Sequence, residues 1–189
     1  MSAEKPILFS GPMVKAILAG TKTQTRRCHV IPRYAVGDRL WVREALGVNW
    51  NEAAVDVGMA HYRRDGELVE PLLPWRWKRN YLSPIHMPKE AARIWLKVTE
   101  VRVERLNDIS MADALAEGIV IPVDTQRRPL IRVTGRYPAS DYIPRNPTTK
   151  QIVIGYFASL WDTLNAERGF GWVANPWVAV YDFEREVKP

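Results

Sequence analysis

Leu18 to Cys28 reads L-A-G-T-K-T-Q-T-R-R-C, and the fold turns on how this stretch is read. The apolar run ahead of it (Pro12, Met13, Val14, Ala16, Ile17, Leu18) is a helix candidate that ends at Gly20. Glycine suits the left-handed position that closes a helix. Beyond it, Thr23 and Thr25 alternate with Gln24 and Arg26 as in a strand, so the two pairs point to opposite faces. On a straight strand Lys22 and Thr25 face apart. With Lys22 still in the turn after Gly20, ammonium and hydroxyl can converge. From pattern alone, a Lys-Thr-rich edge after a helix is most often a solvated connection.

Working outward, Pro6 to Phe9 is a short apolar strand leading into the helix, and Gly37-Asp38 is a turn ahead of a strand at Leu40 to Ala45. In that strand Trp41 and Arg43 share one face, Val42 and Glu44 the other. Residues 47–84 carry scattered tryptophans, paired charges and prolines. Only His61 to Arg64 and Leu68-Val69 look extended, so the stretch reads as an elaboration without a core of its own. Ser83 to Pro88 is expected to be extended by its two prolines.

The clearest strand runs from Arg93 to Leu106. Its apolar phase changes from Ile94, Leu96 and Val98 to Val101 and Val103, which predicts a bulge or bend at Thr99-Glu100 of the kind that closes small barrels. Ser110 then caps a helix, with Asp113 completing a capping box. Met111, Ala114 and Leu115 form its buried stripe, and Gly118 ends it. Residues 120–147 are Pro- and Arg-rich without period and read as a long surface loop over a site. Lys150 to Glu167 is an amphipathic helix with Ile154, Phe157, Ala158, Trp161 and Leu164 inward, and Trp177 to Glu184 is the closing strand. One domain over residues 1–189 is the expectation for this length.

The chain carries a formal charge of +6 and a sequence pI near 9.6, which favours polyanionic partners without requiring them. A single cysteine, Cys28, excludes an internal disulfide and suits a reducing compartment. Arg26 and Arg27 beside it could lower its pKa, yet it reads as a small structural hydrophobe. No apolar run reaches membrane-spanning length, and the start M-S-A-E-K-P lacks a secretion-signal layout, so a cytoplasmic protein is expected. His29, His61, His86 and Cys28 have no metal-ligand spacing, so neither a metal nor a cofactor is expected. The eight tryptophans and seven tyrosines should mostly fill the core. Trp41 with Arg43 is nevertheless a candidate base-stacking platform. Glu44 is a candidate inward group able to read a base edge, and His86, between two prolines, a candidate pocket lining.

Gly20-x-Lys22-x-x-x-x-Arg27 resembles the G-x-K-x-x-x-x-R signature of the ASCH domain family, and it precedes G-D-R-L-W-V-R-E (Gly37 to Glu44). The opening P-I-L-F-S-G-P-M-V-K-A-I-L-A-G-T-K-T-Q-T-R-R and the closing N-P-W-V-A-V-Y-D-F resemble those of longer, phage- and prophage-associated ASCH proteins. The resemblance implies an α+β fold: a PUA-like (ASCH) β-barrel with flanking α-helices and a loop-rich elaboration. It further implies metal-independent hydrolysis of the N4-acyl amide of cytidine-type nucleosides by a Lys, a Thr and a Glu. Here these match Lys22 and Thr25 and, from A-L-A-E-G, Glu117. In that scheme Thr25 attacks the acyl carbon, Lys22 accepts its proton, and Glu117 handles the leaving nitrogen or positions water. Burial with Arg26 and Arg27 would lower the Lys22 pKa, while Glu117 would raise it. Arg26, Arg27, Trp41, Arg43, Glu44 and His86 are the substrate-binding candidates. A modified nucleoside or RNA is the expected partner, with no membrane and no obligate protein partner. Non-catalytic RNA binding, or ribonuclease action with Lys22 and Arg27 on the scissile phosphate, are the rival readings of the same basic cleft.

Overall fold

The computed structural model describes residues 3–28, 31–49, 58–70, 72–121, 142–145 and 147–188. Their strands are β1 (Glu4–Leu8), β2 (Gln24–Arg27), β3 (Arg39–Arg43), β4 (Leu46–Asn49), β5 (Met59–Tyr62), β6 (Tyr81–Leu82), β7 (Trp95–Arg105) and β8 (Trp177–Glu186). The α-helices are α1 (Gly11–Leu18), α2 (Met111–Ala116) and α3 (Thr149–Asn165). Five strands form a mixed sheet in the order β1-β3-β7-β8-β2, and three form a second in the order β5-β4-β6. Strands β1 and β3 are parallel, which a tight hairpin cannot connect, and α1 lies in the crossover between them. The expected α+β class is the one observed. Because β1 and β2 are the edges of the larger sheet, strand pairing among the described residues does not close it into a barrel.

The chain divides into two compact units, each discontinuous in sequence. The first comprises Met1–Leu18, Val36–Thr99 and Phe183–Pro189, and the second Ala19–Ala35 and Glu100–Asp182. In the first unit, Tyr62, Trp75 and Leu82 from the 47–84 stretch pack with Trp41, Met87 and Trp95. The elaboration therefore shares a core rather than forming its own. Its strand β5 begins two residues before the expected His61 and ends at Tyr62. Of Ser83 to Pro88, expected to be extended, Ser83 and Pro88 are, but Pro84–His86 is a 3-10 turn with proline at its start, where the fixed φ and absent N–H of proline are tolerated.

In the second unit, α3 supplies Val153, Phe157 and Trp161 to a cluster with Leu106, Ala114, Val178 and Val180. This helix is buried on most of its circumference, which weakens its amphipathic signature, and Leu164, expected inside, is 49% exposed. In α2, Ala114 is buried as expected but Leu115 is 41% exposed. The capping box is present: Ser110 Oγ accepts from Asp113 N–H at 3.0 Å, and Asp113 Oδ2 accepts from Ser110 N–H at 3.3 Å. The loop expected over 120–147 lies almost wholly outside the described residues, as do His29 and Trp50. No helix among the described residues is long and apolar enough to cross a membrane.

Candidate active site

Gly20 adopts φ +72°, a left-handed conformation that costs other residues about 1 kcal/mol or more, and the chain reverses there into the Lys22 segment. Lys22 itself precedes β2. It pairs with Glu117 in an isolated antiparallel bridge, and Thr23 N–H donates to the Ala116 carbonyl at 2.8 Å. The far partner is the C-cap residue of α2, fixed by the helix end and by Gly118 at φ +83°. Two helix-terminating glycines thus bring positions 22 and 117 together.

The Lys22 side chain is fully buried, and Nζ donates to the Gln24 carbonyl (2.7 Å), the Glu117 carbonyl (2.9 Å) and Glu117 Oε2 (2.7 Å). Three acceptors match the three protons of an ammonium. Burial lowers the Lys22 pKa below its ordinary value, Glu117 opposes the shift, and Arg27 and Arg26 add to it. The contact with the Gln24 carbonyl seats Nζ on the peptide that joins Gln24 to Thr25.

Thr25 is 3% exposed, and its hydroxyl makes no hydrogen bond among the described residues. Opposite it in the β2–β8 register is Tyr181, which is fully buried, packs edge-on against Tyr34 at 5.0 Å, and accepts at its hydroxyl from Arg33 N–H. Alternation places Arg27 on the same face, and its charge is felt by Glu117, Tyr34 and Tyr181.

Gln24 and Arg26 face the other way into a polar network. Gln24 Nε2 donates to Asp113 Oδ1 (2.9 Å) and Asp182 Oδ1 (2.6 Å), and its carbonyl oxygen accepts from Arg26 Nη1. Arg26 Nε and Nη2 both donate to Glu104 Oε1, at 3.2 and 2.7 Å, while Nη1 reaches Glu117 Oε1 at 3.3 Å. Arg102 completes the network on Glu104, Asp113 and Asp182. Burial alone would raise the Asp113 pKa, but hydrogen bonds from Ser110 and Gln24 and the charges of Arg26 and Arg102 outweigh it and hold the carboxyl below its usual range.

Gln24, Arg102, Glu104 and Asp182 were not among the sequence candidates. Their signal lay in β7, where Leu96 and Val98 are buried, Thr99 and Glu100 are exposed, and Arg102 and Glu104 are half-buried, while Val103 is 39% exposed. Strand β7 runs on through the exposed Thr99-Glu100, and beyond it Val101, Arg102 and Glu104 are all half-buried. At Cys28 the neighbouring Arg27 does act to lower the thiol pKa, as does Arg168, but burial outweighs them. The pKa is therefore raised, and Sγ sits 3.4 Å from Asn165 Oδ1.

The predicted residues fall into two groups. Lys22, Thr25, Arg26, Arg27 and Glu117 belong to the second unit, whereas Trp41, Arg43, Glu44 and His86 belong to the first. In the first unit Arg43 stacks on the buried Trp41 ring at 4.7 Å and donates to the Ile85 carbonyl, and His86 is exposed. Glu44, 4% exposed, receives Arg93 Nε at 2.9 Å and Nη2 at 2.7 Å. Arg93 also bonds Asp65 and Glu67 and stacks on Tyr62.

No protein-family model matches the chain, and no curated protein matches it. Among solved structures, the chain is similar to the ASCH domain from Lactobacillus crispatus JV V101, at 13% identity and a TM-score of 0.41, over 97% of this chain and 79% of that one.

Proposed function

We propose that the chain is an amidohydrolase that releases the acyl group from the N4 amine of acylated cytidine-type nucleosides, acting in the cytoplasm as a prophage-type, single-domain member of the PUA-like ASCH family. The observation that carries this reading is the buried Lys22–Glu117 pair, seated on the peptide bond of a threonine whose hydroxyl makes no hydrogen bond among the described residues. An amide needs a nucleophile, a base for its proton and an acid for the leaving nitrogen. Thr25 Oγ1 attacks the acyl carbon while Lys22, as the amine, takes the hydroxyl proton. The resulting ammonium gives that proton to N4 as the C–N bond breaks, leaving a threonyl ester. Water then adds to the ester, Lys22 again moves the proton, and the carboxylic acid departs with Thr25 restored.

Glu117 stabilises the ammonium formed in each half-reaction, since both its carboxylate oxygens are held, Oε2 by Lys22 and Oε1 by Arg26. Arg27, with Tyr34 and Tyr181, lines the face that Thr25 shares. The rival reading of a basic, RNA-binding or RNA-cleaving cleft is weakened by the charges present. Lys22, Arg26 and Arg102 are matched against five carboxylates, Glu100, Glu104, Asp113, Glu117 and Asp182, so these cations are engaged within the protein.

The test is loss of the N4-acyl absorbance when the protein meets N4-acetylcytidine, with the Thr25→Ala variant alongside. Turnover by the parent and none by the variant supports the reading. Equal turnover by both removes Thr25 as nucleophile. No turnover by the parent, with RNA binding that weakens steeply with salt, replaces the hydrolase by the RNA-binding reading.

A further inference from the structure

Arg26 is fully buried at its side chain and spends its guanidinium on protein acceptors alone: Glu104 Oε1 twice, the Gln24 side-chain oxygen, Glu117 Oε1 and, at 3.7 Å, Asp113 Oδ2. It lies over the Phe157 ring at 5.9 Å. Four of its five N–H protons are thus hydrogen-bonded within the protein, and its side chain is closed off from solvent. Its contact with Glu117, however, is specific. Of the two carboxylate oxygens, Oε2 faces Lys22 and Oε1 faces Arg26, so the plane of the carboxylate is fixed between two cations.

We propose that Arg26 is a positioning residue rather than a substrate contact: it clamps Glu117 and so makes Lys22 the proton acceptor for Thr25. The clamp acts in two ways. Geometrically, it holds Oε1 so that Oε2 stays on Nζ. Electrostatically, it offsets the carboxylate whose field would otherwise keep Lys22 permanently an ammonium. Glu104 and Asp113 temper that offset from β7 and α2, and Arg102 in turn tempers them. On the β2 side the charges facing the pair are Arg27 and Arg26, both of which disfavour the ammonium. The catalytic assignment of Lys22 rests on the hydrolase reading above; the effect of Arg26 on Lys22 does not.

The discriminating variants change charge at two points with opposite expected signs. Arg26→Gln removes the offset, so the titration midpoint of Lys22 rises. Glu104→Gln leaves Arg26 less neutralised, so the midpoint falls. Arg26→Lys restores the charge without the fork and returns the midpoint toward the parent value.

The midpoint is read directly on full-length protein by NMR of lysine labelled at Cε, with the Lys22 resonance assigned by its absence in Lys22→Met. Each variant is accompanied by a thermal melt. Shifts of at least about half a unit in opposite directions, with recovery in Arg26→Lys, support the clamp. An unmoved midpoint in folded Arg26→Gln overturns it. Should that variant fail to fold, an unmoved or raised midpoint in Glu104→Gln does the same. Where the parent turns over N4-acetylcytidine, the rising limb of kcat/KM against pH should move with the midpoint in each variant, and a fixed limb overturns the positioning role. If the parent is inactive, the hydrolase reading fails alone, because the lysine midpoint is read without substrate.

Discussion

Replacing Glu117 by Ala tests whether the ion pair at the centre of the site is an electrostatic unit. The substitution removes one of the three acceptors of Lys22 Nζ, the 2.7 Å contact to Oε2, and leaves the two carbonyl contacts at 2.7 and 2.9 Å. The ammonium then remains in a fully buried position without its counter-charge. Removing one partner of a buried pair costs about 3–5 kcal/mol, because the other charge stays desolvated. For a chain of this length a loss near 3 kcal/mol lowers Tm by roughly 6–12 °C.

The loss should also depend on pH in a defined direction. Without Glu117 the folded-state pKa of Lys22 drops further below the value of an unfolded lysine. Between those two values the unfolded chain holds more protons than the native one, so the stability of the variant rises as pH is raised. Urea unfolding of parent and variant at several alkaline pH values, followed by circular dichroism, gives both numbers. The double variant Lys22→Met/Glu117→Leu, which removes both charges and fills the volume, should recover most of the loss. A Glu117→Ala variant within about 1 kcal/mol of the parent and flat with pH would refute the account, since it would mean that Lys22 is not a buried charge held by Glu117.

Four further outcomes are expected. The kcat/KM for acyl-amide hydrolysis should rise with pH and level off with a midpoint below the ordinary lysine value, because burial lowers the Lys22 pKa and the amine is the reactive form; a profile flat from neutral to alkaline pH contradicts Lys22 as base. Thr25→Val should melt within about 1 kcal/mol of the parent, since the hydroxyl it removes is bonded to nothing in the described structure, and a larger loss in a thermal melt would show that the hydroxyl has a structural partner. Arg93→Ala should cost about 3 kcal/mol in urea unfolding by leaving the buried Glu44 carboxylate without its fork, and a neutral result would make Glu44 available for a ligand. Ser110→Ala should cost about 1 kcal/mol through the lost capping box, and it should lower activity because α2 carries Glu117 at its other end.

How much of this was legible in the sequence differs by element. The cap at Ser110 and Asp113, the helix ended by Gly20 and the amphipathic register of α3 are local signals, set by hydrogen bonds and sterics within a few residues, and they appear in the structure within one or two positions. The three-stranded sheet β5-β4-β6 was nearly invisible, because its strands are two to four residues long and their partners distant in sequence. Exposed Leu115 and Leu164 mislead the helical patterns in the usual way, since a single apolar side chain at a surface costs little. The convergence of Lys22 with Glu117, separated by 95 positions, followed from no periodicity; only the family resemblance singled the pair out.

The polar network shows why charged residues on an inward strand face are read wrongly. Along β7 the alternation of apolar side chains breaks after Val98, and the simplest inference is that the strand bends so that Val101 and Val103 turn inward. The strand continues past the exposed Thr99 and Glu100 and half-buries Arg102 and Glu104 along with Val101. Their burial is tolerated because each meets a partner from another segment: Arg102 on Asp113 and Asp182, Glu104 on Arg26. Burying a charge without such partners costs several kcal/mol, so a strand whose apolar phase yields to Arg and Glu on the same face implies complementary charges elsewhere in the chain. In this protein those charges lie on β2, α2 and β8, and the network they form ends on Glu117 Oε1. The break in hydrophobic pattern therefore marked the support of the candidate site, not a defect in the strand.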